Sequence, residues 1–180
     1  MDSTAIDLTR LIARLQEYLG EFRILVYAAA FAAGAAMIIA GVAAAARRAD
    51  QGPGQGGWAG PIALMIAGFG LAALPAAVNS LAASIIPGQW SDATIEIFST
   101  APTLLSAFDG AAARDTIVGI LRIVQFIGIL AIFRGILILN GSAQPSRTAT
   151  AGAGITHLAG GALAVNIGPV LGMLESLVAP

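Results

Sequence analysis

The chain has no cysteine, no lysine and a single histidine, and only 11% of its 180 residues are charged. Without cysteine there are no disulfides, no thiolate metal sites and no cysteine nucleophile. One histidine leaves no multi-histidine metal site within one chain. A soluble domain of this size carries roughly 25% charged residues, so charge here is too sparse to cover a water-facing surface. A disordered chain is excluded for the opposite reason, since 57% of residues are hydrophobic and the mean hydropathy is +0.84. Nine basic residues, all arginine, stand against ten acids, a net charge of −1. That balance offers no excess positive charge to hold nucleic acid, and no direct nucleic-acid binding is expected.

What is present is apolar sequence in long runs. Residues 24–46 contain no charge over 23 positions, long enough to span and longer than a signal-peptide core. Residues 61–81 form a second run that opens on Pro61 and carries Pro75 inside, where a kink is expected. Residues 117–139 form the third, and residues 153–173, rich in glycine, the fourth. The glycine-rich stretch 47–60 and the polar stretch 140–152 read as turns. The expected fold is therefore an all-α membrane protein with four transmembrane helices in two hairpins. It divides into an N-terminal amphipathic helix (1–23), a first hairpin (24–81), an interfacial connection (82–116) and a second hairpin with a short C-terminus (117–180).

The N-terminal part owes its reading to period. Leu8, Leu11, Ile12, Leu15, Leu19 and Phe22 make one apolar helical stripe, with Arg10, Arg14, Glu17 and Glu21 on other faces. Such a helix can lie in the headgroup plane or pack on the bundle. The order of segments then recurs: an amphipathic or interfacial piece, a long span, a short loop, a second span. Both hairpins then point the same way across the membrane, a parallel repeat. The Arg47–Arg48 pair favours a cytoplasmic first loop and periplasmic termini.

No Asp or Glu lies in any of the four spans, which argues against ion-coupled transport. The polar residues in or beside the spans are Asn79, Arg122, Gln125, Arg134, His157 and Asn166. At about 1.5 Å rise per residue, they fall into three layers of matched depth: Arg134 with His157, Gln125 with Asn166, and Arg122 with Asn79. Matched depth is what bonding between helices requires. Arg122 and Arg134 are shallow enough to reach phospholipid head groups. Gly154, Gly161 and Gly168 recur every seven residues, and Gly168 with Gly172 makes a GxxxG, so this row is expected to face a neighbouring helix while Ala162 lies one residue round. Nothing reads as catalytic or cofactor-binding. His157 has no acid within ten residues, and the 51–60 segment lacks the GK[ST] ending of a phosphate loop.

Two stretches carry a resemblance. FIGILAIFRGILIL at 126–139 and ITHLAGGALAVNI at 155–167 resemble the small DotE/IcmC-type inner-membrane proteins of type IVB (Dot/Icm) secretion systems, with TraQ as the counterpart in I-type conjugation. The resemblance covers the second hairpin, and the first by hydropathy alone. It implies a non-enzymatic subunit of a transfer apparatus in the bacterial inner membrane, working with other secretion subunits and as an oligomer. The positions it carries over are Arg134, Gly135, His157, Gly160, Gly161 and Asn166. Two other readings stay open: the small-residue first span suits a pilin-like filament subunit, and the kinked second span a small holin- or channel-like pore former.

Overall fold

A computed structural model of the chain describes residues 8–50, 57–85, 111–142 and 150–178. Among these, six helices follow one another: α1 (Leu8–Asp50), α2 (Ala59–Ala72), α3 (Leu74–Ile85), α4 (Ala111–Ser142), α5 (Ala151–Val165) and α6 (Ile167–Val178). The chain is all-helical over these residues, and α1 and α4 are long and apolar enough to cross a membrane. Taken together, α2 and α3 supply a third candidate, bent by 88°. The count by length and composition is thus two or three, against the four expected. The reason lies in two breaks, which cut the runs 61–81 and 153–173 into short pieces. At 14 residues, α2 rises about 21 Å, and the hydrocarbon core is about 30 Å thick.

The N-terminal segment is not a separate element. Its helix continues without a break into the first span, giving 43 residues and a length of about 65 Å. Within the expected stripe Ile12 is buried, whereas Leu11, Leu15 and Phe22 are exposed. The 23/24 boundary therefore has no structural counterpart. Most of the expected interfacial connection lies outside the described residues, although α3 takes in its first residues and α4 its last.

Both breaks follow from proline. Pro75 has no N–H for the carbonyl four residues back and its ring crowds that carbonyl, so the helix turns before it. The turn falls at Ala73, with φ −103° and ψ 33°, and Pro75 then sits in the first turn of α3, where a missing donor is harmless. Pro169 repeats this in the second half. There α5 ends at Val165, Asn166 takes φ −94° and ψ 22°, and α6 begins at Ile167.

The helices are held by glycine crossings. A Cβ built on Gly34 would stand 2.5 Å from the Gly68 carbonyl oxygen, and one on Gly68 would stand 2.8 Å from that of Gly34. Backbone thus lies against backbone where α1 crosses α2. The crossing of α4 and α5 has the same parts: Gly128 against the Gly161 carbonyl at 2.8 Å, and Gly161 against the Gly128 carbonyl at 2.7 Å. Close approach of this kind is how helices gain dispersion contact where lipid is as apolar as they are.

The correspondence extends beyond the glycines. Gly34, Ile38 and Gly41 occupy the places of Gly128, Ile132 and Gly135, a constant offset of 94 residues. Pro61, Met65, Gly68 and Ala72 occupy those of Gly154, Leu158, Gly161 and Val165, an offset of 93, and Ala73 stands for Asn166 at the break. The molecule is one helical unit built twice from almost unrelated sequence. Its core forms where the halves meet, around Ala30, Leu74, Val78, Ile129, Ile132 and Val165.

Candidate functional site at the second helix break

The Val165 carbonyl would normally accept the N–H of residue 169, but residue 169 is proline. A carbonyl left bare in an apolar interior costs about 1–3 kcal/mol. Gln125 of α4 meets that need, its Nε2 donating to the Val165 oxygen at 3.0 Å. Gln125 is 6% exposed and Asn166 is fully buried, the two buried polar residues among those described. The backbone of Asn166 is also engaged, its N–H donating to Ala162 at 3.1 Å and its carbonyl accepting from Val170 at 3.0 Å. At the first break, position 31, which corresponds to 125, is phenylalanine and position 73 is alanine. At these corresponding positions the second break carries polar side chains and the first does not.

The remaining polar residues are placed elsewhere. His157 is half-buried, and its Nδ1–H donates to the Ala153 carbonyl of its own helix at 2.8 Å. Among the described residues it makes no bond to Arg134, so the expected layer of those two does not form. The cause is local: a side chain one turn from a carbonyl is satisfied without crossing to another helix. Arg134, Arg122 and Asn79 are exposed. Asn79 sits beyond the 88° bend, on α3.

The glycines divide by rotation about the helix axis. Gly135 is buried over Leu158 and the Gly154 carbonyl; Gly154 and Gly161 are buried on α5, and Gly168 is buried on α6, beyond the break. Gly160 is exposed with open space beside it, and Gly172 lies on α6. Ala162, expected to one side of the packed row, is itself buried. At the loops, Arg48 donates to the Gly57 carbonyl, and the Thr150 side chain caps α5 by accepting from the Ala153 N–H at 3.4 Å.

A crevice of about 330 Å³ lies between α2 and α4, lined by Ala63, Ala67 and Gly70 on one side and Ile136, Leu139 and Asn140 on the other. The Oδ1 of Asn140 is buried there and accepts no hydrogen bond among the described residues. The signal was available, since 63, 67 and 70 are small residues on one helical face. Among the described residues, no three His, Cys, Asp or Glu side chains are grouped to hold a metal ion.

Comparison with protein-family models, with characterised proteins and with solved structures finds no match. No relative lends this chain a role. What it does has to be argued from its own packing.

Proposed function

We propose that the protein is a non-enzymatic, multi-pass subunit of a type IVB-like secretion or conjugation apparatus in the bacterial inner membrane, and that it acts as a scaffold. The observation that supports this reading is the twice-built crossing, Gly34 on Gly68 and Gly128 on Gly161, in which both halves are organised around helix-to-helix contact. In this reading α2 with α3, and α5 with α6, each complete one broken crossing, which makes four, and both termini face the periplasm. Alkaline phosphatase fused after Pro180 is then active and a fluorescent protein at the same place is dark. The opposite pattern reverses the orientation, and termini on opposite sides remove the four-crossing count.

Arg134 is the proposed contact residue for a partner subunit or lipid phosphate. It is exposed on α4 among Ile and Phe. An arginine inside a span is costly, up to about 2.5–3.5 kcal/mol at the centre on lenient insertion scales and less near the ends, so its guanidinium needs an acceptor. Lysine can reach a phosphate as a point charge but does not offer a bidentate fork. Deleting the gene is expected to abolish DNA or effector transfer without slowing growth, and Arg134→Lys to lose part of that transfer while still inserting. Full transfer by the lysine variant would reduce Arg134 to a lipid anchor. Normal transfer by the deletion strain would remove the secretion reading.

A further inference from the structure

The two halves match in build but not in surroundings. Within the chain α2 packs on α4 and α3 packs on α5. Their counterparts, α5 on α1 and α6 on α2, make no comparable contact among the described residues. A two-fold interface would make both sets, because each side would present the same patch. This interface is head-to-tail: the first half offers one face and the second half a different one. Each half therefore keeps, unused, the face that its counterpart has spent.

Those unused faces can be named by the 94- and 93-residue offsets. On α4, Phe133 and Ile136 pack against the core. The corresponding Ile39 and Val42 on α1 are 70% and 54% exposed. On α3, Leu74 and Val78 are buried and Leu81 packs on the core. The corresponding Ile167 and Leu171 on α6 are half-buried, and Leu174 is 53% exposed. On α2, Ala63, Ala67 and Gly70 face α4 across the crevice, while Thr156, Gly160 and Leu163 on α5 are exposed.

We propose that a second copy of this chain covers these faces, the α1 of one copy lying against the α5 and α6 of the next as α4 lies against α2 and α3 within each. The sizes trade accordingly. Where Gly70 meets Ile136 inside the chain, the contact between copies sets the larger Leu163 against the smaller Val42. Repetition of a head-to-tail contact gives a ring or an open filament. If the halves run the same way across the membrane, as the proposed topology has it, their relating axis lies along the membrane normal and the assembly closes as a ring in the membrane plane. The inference deepens the scaffold reading and rests on its membrane topology, but it does not need the secretion assignment.

The chain's lack of cysteine makes the test direct. Val42→Cys combined with Leu163→Cys, oxidised in native membranes, is expected to give a ladder of cross-linked species extending beyond the dimer. Each single variant should stay monomeric, because position 42 meets position 163 and not a second copy of itself. The control pairs Val42→Cys with Ile155→Cys, because Ile155 and its counterpart Ile62 are exposed in both halves; it should give no ladder. Absence of cross-links above this control would mean that lipid covers the faces, and a double variant that stops at dimer would mean a two-fold contact; either result overturns the proposal. The secretion assignment is read separately, by transfer from the deletion strain.

Discussion

Replacing two adjacent glycines by alanine is expected to move stability in opposite directions. A Cβ at Gly161 would stand 2.7 Å from the Gly128 carbonyl and 3.0 Å from the Ile132 nitrogen, and these are backbone atoms that can yield only if α4 and α5 separate. Overpacking of this kind costs about 1–3 kcal/mol, sometimes more. A Cβ at Gly160 meets nothing within 4 Å. In that open position alanine removes backbone freedom from the unfolded chain and should stabilise by about 0.5–1 kcal/mol. Thermal unfolding in detergent reads both, with Gly161→Ala melting below wild type and Gly160→Ala at or above it. A loss of similar size in both variants would show that the crossing does not run through Gly161. Gly128→Ala, which meets the same contact from the other helix, should reproduce the loss.

The second large effect concerns the buried break. Gln125→Leu removes the donor from the Val165 carbonyl and leaves it orphaned against Pro169. The expected loss is about 1–3 kcal/mol by the desolvation of a bare acceptor. Membrane double-mutant cycles average about 0.6 kcal/mol, which places the outcome toward the lower end. Pro169→Ala separates this account from simple loss of packing. Alanine at 169 restores a backbone N–H four residues after Val165, so the double variant should recover part of what Gln125→Leu loses. Strict additivity of the two substitutions would mean that Gln125 contributes only volume.

Both predictions depend on rotation, and rotation is where the sequence stopped being informative. The spacing of Gly154, Gly161 and Gly168 marked one face of a single helix; all three are buried, but Gly168 lies on α6 beyond the break, so only Gly154 and Gly161 share a helix. The same reasoning set Ala162 aside from that face, yet it is covered, because helices approaching this closely bury a face wider than one row. Depth brought Gln125 and Asn166 to one level, and the structure joins Gln125 to the carbonyl immediately before Asn166. Depth alone also paired Arg134 with His157, which instead bonds its own helix. A side chain's level follows from counting residues, but its azimuth does not.

Sequence by itself determined the class of this protein and the bend at Pro75. Composition excludes a water-facing globule, apolar runs require helices, and Pro75 removes the donor that would have carried its helix on, whereas the break before Pro169 emerged only in the structure. Tertiary structure alone decided how those helices combine. It made α1 continuous from Leu8 to Asp50, gave the repeat of segments its residue-by-residue register at the glycine crossings, and used different faces of the two copies. The physical reason is that lipid is as apolar as leucine, so an apolar residue here carries no instruction about whether it faces a neighbour or the bilayer. That choice is made by backbone approach and by shape, which appear only once the helices are packed together.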